Sequence, residues 1–456
     1  MKEGLDFNDT FAPVAKPVTL RSLFAVATKH RRKLFSGDVE TAFLTSPMDC
    51  EVWVRMPPYW GKDEEPITGT LSDRPPRRLL KGVPGIPQGS RLFYNTFQAE
   101  LKEMGYLPSK ADQCLFLNPH AAEPSAVLIW VDDFIFMCDK TTTWEVFLRR
   151  LRQRFTIPNV GPLTCFLGME IVYKPEQSMM FVSQSNTVEI LLERAGMSDC
   201  NPTQLPCQPG TTFSKKDCPT PPSSRSTEYA ALIALANFIA CWTRPDITYT
   251  VNKLCKFMSN PGEAHWQALK HLLRYLRGTS SLGLHFDFSK PASLPGVHGY
   301  SDASFADCPD SSKSTVAYAF FLEGAIISWY SKLHTYVTTC TNHSEYAALF
   351  LAAKEAQWLV YLFEELEPTS LAKPMPVYVD SSGVVSMVFN PVDHSANKHV
   401  RLACHYVREL TVEKVIAPQR VPSADNLADL FTKPLGAPQF KTLVSRLVGS
   451  EPRRSS

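Results

Sequence analysis

Asp132 and Asp133 sit side by side in AVLIWVDDFIFMC, residues 126–138, between two runs of apolar, strand-forming residues. The pattern predicts two buried strands joined by a tight turn, with both acids at the lip of a sheet. Like charges at contact raise each other's pKa, so an acid pair there is hard to keep without a cation against it. Asp is also a common turn residue, and the pair by itself fits an ordinary hairpin equally well. A third acid tips the balance. Asp38, in LFSGDVETAFL, closes another apolar stretch. Three acids at strand ends form a set that can hold two Mg²⁺ ions for an in-line phosphoryl displacement.

A second group of acids lies toward the C-terminus. Asp302 is on a predicted strand, 297–305, and Glu345 is in the first turn of a predicted helix, 342–365. Asp380 ends a short strand, and Asp429 sits on what reads as a helix start at 423–430. Asn342 with Glu345 also fits a capping box, which needs no catalysis. Residues 314–331 predict two strands around a turn at Glu323-Gly324.

These residues need a large scaffold. The chain has 456 residues, 44% apolar and 20% charged, with net charge +2. That length suggests about two to three domains. The charge neither demands nor excludes a nucleic-acid partner, so any basic surface is local. Arg31-Arg32-Lys33, Arg77-Arg78 with Lys81, and Arg149-Arg150 with Arg152 and Arg154 are candidates, each equally readable as a solvated face. The 12 cysteines form no CxxC pair, against a zinc ribbon or thioredoxin-like motif, and read as reduced thiols. The N-terminus has no apolar signal region, and the run 229–242 is too short to span a membrane.

In chain order, 19–30 has helical spacing and 33–35 is a strand leading to Asp38. Residues 61–76 read as a loop. KGVPGIPQGSRLFY, 81–94, breaks regular structure before a helix that opens at Gln88-Gly89 and runs to Met104. A glycine at a helix start can bring backbone N–H groups close to a ligand. Residues 201–227 are rich in Pro, Ser and Thr and read as a linker. A helical stretch to Thr279 follows, in which Lys270, Arg274 and Arg277 recur at helical spacing, as a phosphate-facing stripe or a solvated face.

Asp38 with Phe43, then PQG at 87–89, then VDD at 131–133, in that order, resemble a reverse transcriptase. FNDTFAPVAKPVTLRSLFAVA at 7–27 resembles the copia-type retrotransposon Pol polyprotein in particular. FLGMEI at 166–171 resembles the primer-grip hairpin, and TRPDI with HWQALKHLLRYLRGT resembles that family's connection region. SDASFAD, HSEYAAL, YVDSSG and LADLFTKPL resemble its RNase H motifs. The resemblance implies an α/β (α+β) fold: palm and thumb with truncated fingers over 1–200, a linker at 201–227, a helical connection at 228–286, an RNase H-like mixed-sheet domain at 296–440 and a tail at 441–456.

The resemblance also implies roles. Asp38, Asp132 and Asp133 would hold two Mg²⁺ ions, and Asp302, Glu345, Asp380 and Asp429 two more. Phe43 would be a steric gate beneath the incoming sugar, although its spacing equally suits core packing. Gln88, with Gly89, would contact the nucleotide. Implied partners are an RNA template, a DNA primer, dNTPs and RNA–DNA hybrid. The implied location is a cytoplasmic virus-like particle with nuclear access, and no membrane. His399 and His405 are expected to be structural or substrate-side.

The sequence departs from the family at Trp130, where a tyrosine is usual, and at Ser381 and Arg401. The family's fingers hairpin, whose cations hold the triphosphate, lies upstream of the matched stretch. RNase H activity is therefore expected to be intact and polymerisation weak in this chain alone. The alternative is a truncated relic or a recruited nucleic-acid-binding protein without polymerase activity.

Overall fold

The computed structural model describes residues 9–55, 76–389 and 398–451, without the side chains of 398–402. The loop expected at 61–76 lies outside the described residues except for Pro76, as do the side chains of His399 and Arg401. The chain forms two compact units, residues 1–16 with 33–162 and residues 17–32 with 163–456.

The first unit is built on an antiparallel sheet. Its labelled strands are β1 (Lys33–Asp38), β2 (Ser125–Trp130) and β3 (Asp133–Cys138), with β3 between the other two. Short strands Leu115–Leu117 and Val160–Pro162 flank them. The unbroken apolar runs of β2 and β3 are buried along nearly their whole length, as expected for central strands. Phe134 and Phe136 face two helices, α1 (Gly89–Glu103) and α2 (Thr141–Leu151). Phe136 stacks on Phe147 at 4.2 Å and Phe35 on Trp144 at 4.8 Å. Gly37 pairs with Phe134 across the sheet, and a Cβ there would lie 2.6 Å from the Phe134 ring. The glycine thus lets an aromatic ring pack over β1 one residue before Asp38. Arg150 and Arg154 both reach Glu100, so two cations of that cluster serve the fold.

In the second unit the FLGMEI motif is a tight hairpin whose loop residues, Leu167 and Gly168, have φ of 49° and 74°. A helix at Ser185–Arg194 follows, and three more, Ser226–Trp242, Thr248–Cys255 and α3 (Glu263–Gly278), come after residues 201–225. The Pro/Ser/Thr-rich segment before them is tied down. Thr203 N–H bonds to Arg274 O, Arg274 Nε to Asn201 O, and Ser214 Oγ to Asp310. Arg274 is therefore engaged with backbone, while Lys270 and Arg277 stay exposed.

The unit ends in a mixed five-stranded sheet. Its strands are β4 (Val297–Ser304), β5 (Thr315–Leu322), β6 (Ala325–Leu333), β7 (Met375–Val379) and β8 (Ile416–Arg420), in the order β6-β5-β4-β7-β8. β4, β5 and β6 pair antiparallel, whereas β7 joins β4 and β8 joins β7 in parallel. Glu323 and Gly324 both have positive φ, giving the hairpin turn that matches strand twist. Helix α4 (Thr341–Leu366) packs on β4 and β5, with α5 (Lys398–Val412) against it.

Two local expectations are corrected. The capping box does not form: α4 follows Cys340 with no side-chain cap, so Asn342 lies inside the first turn, where it accepts from Ser381 Oγ. Residues 423–431 are two 3₁₀ turns rather than a helix start, because Asn426 caps the second turn by accepting from Ala428 N–H.

Candidate active sites

The first site sits on the β2–β3 turn. Asp133 opens β3 directly opposite Asp38 on β1, and Val39 N–H bonds to Asp132 O at 3.1 Å. The two loop residues are Val131 and Asp132. Val131 has φ 58°, which costs a β-branched residue roughly 1–3 kcal/mol, so local strain is held at the turn carrying the acids. Burial, then the charges of Asp132 and Asp38, push Asp133 up to about 6. Burial and then Asp132 also raise Asp38. The three expected acids are thus brought together, Asp132 exposed and the others half-buried, in a field that favours a cation.

Phe43, Gln88 and Gly89 also meet. Phe43 is half-buried, edge-on to Phe93, and a Cβ on Gly89 would touch its ring at 3.4 Å. Gln88 is fully buried, its Nε2 directed at Cys50 Sγ at 3.6 Å.

The second site gathers its acids from four elements. Asp302 comes from β4, Glu345 from the start of α4, Asp380 from just beyond β7, and Asp429 from the second 3₁₀ turn. Carboxylate oxygens of Asp302, Asp380 and Asp429 lie within 4.8 Å of one another. Asp302, Glu345 and Asp429 are nearly inaccessible, at 1%, 5% and 2% exposure. Burial, then Asp302 and Asp380, drive Glu345 up to about 9. Burial and Asp302 drive Asp429 up to about 7, and burial raises Asp302 as well. Glu345 Oε2 is buried with no hydrogen-bond partner. An orphaned carboxylate oxygen beside three converging carboxylates is an all-oxygen donor set that fits a hard divalent cation.

Sequence reasoning missed three residues here. Lys433 places Nζ 2.9 Å from Asp429 Oδ1 and 3.8 Å from Asp302 Oδ2. Thr432 Oγ1 donates to Asp302 Oδ2, and Asn426 Nδ2 to Ser301 O. One signal was available: Lys433 follows Asp429 by four residues, a spacing that brings charges together on a helical turn. His405 is exposed and lines a cavity beside α4 and α5.

Among the described residues no helix is long and apolar enough to cross a membrane. The family described as "Reverse transcriptase (RNA-dependent DNA polymerase)" matches residues 2–209. The chain is similar to the retrovirus-related Pol polyprotein from transposon TNT 1-94 of Nicotiana tabacum, 30% identical over 98% of this chain and 33% of the relative. It is likewise similar to the Pol polyprotein from transposon RE2 of Arabidopsis thaliana, 32% identical over 98% of this chain and 30% of the relative. The chain thus spans about a third of these curated relatives. A foamy viral protease-reverse transcriptase in complex with dsDNA aligns over 86% of this chain and 68% of that one, at 14% identity and TM-score 0.46.

Proposed function

Because the chain belongs to the copia-type retrotransposon Pol family, in its reverse transcriptase and RNase H portion, we propose that it copies an RNA template from a DNA primer with dNTPs and cuts the RNA strand of the resulting hybrid. One observation carries the proposal: the chain builds two separate carboxylate clusters, one on β1 and the β2–β3 turn and one on β4, α4, β7 and a 3₁₀ turn. Asp38, Asp132 and Asp133 would hold Mg²⁺ at the first, and Asp302, Glu345, Asp380 and Asp429 at the second. The metal supplies charge neutralisation at a transferring phosphate and a nucleophile at neutral pH.

The chain's own residues set the conditions for that chemistry. The strained Val131 turn and the Asp38–Asp133 pairing hold the first three acids at a sheet end. Phe43, whose ring meets Phe93 edge-on, would be the aromatic plate beneath the incoming sugar that excludes a 2′-hydroxyl. At the second site Thr432 orients Asp302, Ser423 orients Asp380, and Asn426 fixes the turn that carries Asp429.

The test is one gel with separately labelled DNA primer and RNA template, Mg²⁺ and dNTPs. The chain is run beside Asp132→Asn and Asp302→Asn. Weak primer extension lost only in Asp132→Asn, and strong RNA cutting lost only in Asp302→Asn, are the expected results. Hybrid binding by a folded chain with neither activity would overturn the proposal and leave a binding protein.

A further inference from the structure

A cavity of about 710 Å³ opens at the β6 edge of the C-terminal sheet, walled by β6 and the turn after it, α4 and α5. Tyr330, Tyr336, Phe350 and Tyr406 supply rings, and Lys332 and Lys354 supply charge. The rings are set by packing. Tyr330 stacks on Tyr318 at 5.2 Å with 9° between planes, and Phe350 meets Tyr406 edge-on at 5.5 Å. Tyr406 Oη donates to Gln357 Oε1. Prefixed rings lose little entropy on binding a flat ligand.

The charge is uncommitted. Lys332 and Lys354 are exposed, and among the described residues neither pairs with a carboxylate. Lys354 instead lies 5.8 Å from the centre of the Phe350 ring. Glu409 is the one acid among the lining residues. Aromatic walls with unpaired cations match a ligand with a π face and a phosphate. Every base has such a face, and stacking contributes about 1–3 kcal/mol per base.

The cavity lies near the second acid cluster in the fold. Its lining residue Val316 is the cross-strand partner of Ala303, next to Asp302. Phe350 follows Glu345 by five residues on α4, about 7.5 Å along the axis. We propose that this cleft binds an unpaired nucleotide of a single-stranded overhang, its base against the rings and its phosphates on Lys332 and Lys354, while the adjoining hybrid lies at the acids. The placement of the hybrid rests on the RNase H reading; the cleft's recognition of a single strand does not.

The experiment uses the full chain with Ca²⁺ in place of Mg²⁺, and fluorescence anisotropy. Three labelled probes are compared: a blunt RNA–DNA hybrid, the same hybrid with a short single-stranded overhang, and the single strand alone. The overhang is expected to tighten binding about tenfold, the effect of one stacked base. A double variant, Lys332→Glu with Lys354→Glu, is expected to abolish that gain and to flatten the salt slope by about 1.4, the value for two contacts to a single strand. Tyr336→Ala, at an exposed ring, is expected to weaken overhang binding while blunt-hybrid binding and Mg²⁺-dependent cutting persist. Equal affinity for blunt and overhanging hybrids overturns the proposal. So does a charge variant that loses blunt-hybrid binding equally, or a poly-Glu peptide that competes as well as the single strand. A chain that binds the single strand through these residues but neither binds nor cuts blunt hybrid refutes the RNase H reading and leaves the cleft standing.

Discussion

Replacing Glu345 with Gln tests whether the second acid cluster holds the divalent cation proposed for it. With its pKa pushed up to about 9, Glu345 is protonated in the metal-free chain at pH 7. Asp429, near 7, is about half protonated. A divalent ion needs both as carboxylates, so binding must expel protons. At pH 7 that is about one proton from Glu345, with more from Asp429 and Asp302, which burial also raises. Calorimetric titration of Mg²⁺ in two buffers of different ionisation enthalpy gives that number directly. Carrying Asp132→Asn throughout silences the first site. The expected release falls by about one proton in Glu345→Gln. Stability gives an independent check with a definite sign. The folded pKa lies above the unfolded value of 4.5, so metal-free stability is fullest below about pH 4.5 and declines as pH rises toward about 9. At pH 7 the deficit is about 3 kcal/mol, from about 2.5 units at 1.36 kcal/mol each. Glu345→Gln removes it, and the metal-free variant should melt higher than the parent at pH 7 and above. No proton release on Mg²⁺ binding, or an equal release from the variant, would refute the reasoning.

Three further outcomes are expected. Lys433→Met removes the ammonium 2.9 Å from the buried Asp429 and, because that ammonium is 40% exposed and screened by solvent, should cost the metal-free chain about 1 kcal/mol at pH 8; Mg²⁺ should restore most of the loss, read as the gap between melting temperatures with and without metal. Gly37→Ala drives a methyl to within 2.6 Å of the Phe134 ring, which should lower unfolding free energy by about 1–3 kcal/mol in urea titration and slow primer extension through Asp38. Asn426→Ala leaves the buried Ser301 carbonyl without its side-chain donor, at about 1–3 kcal/mol in the same titration, and should reduce RNA cutting while leaving primer extension unchanged.

Much of the first site was legible in the sequence because its determinants are local. Apolar runs on either side of Asp132-Asp133 specify two buried strands, and a two-residue gap between them specifies the turn. What the run could not reveal is the left-handed Val131, since a β-branched residue is the wrong local choice there and only the surrounding sheet holds it. Phe43 was open between gate and core packing; the structure puts it beside Gly89 and against Phe93. Arg274 was open between a phosphate-facing stripe and a solvated face from its helical spacing; its Nε instead bonds the Asn201 carbonyl, 73 residues away.

At the second site the sequence determined which four acids exist and that three of them lie at the start or end of an element. The tertiary structure decided everything that depends on distance. Asp302 and Asp429 lie 127 positions apart, and only the packing of a 3₁₀ turn against β4, through Asn426, brings their oxygens within 4.8 Å. Glu345 fitted a capping box as well as the acid set, because local spacing carries no information about what a helix end faces. Burial beside Asp302 and Asp380 made it instead a carboxyl held protonated at neutral pH. Patterns of 2 and 3.6 residues fix strands and helices within a few residues of chain. Electrostatic environment comes from groups tens to more than a hundred residues distant, and that only the folded chain supplies.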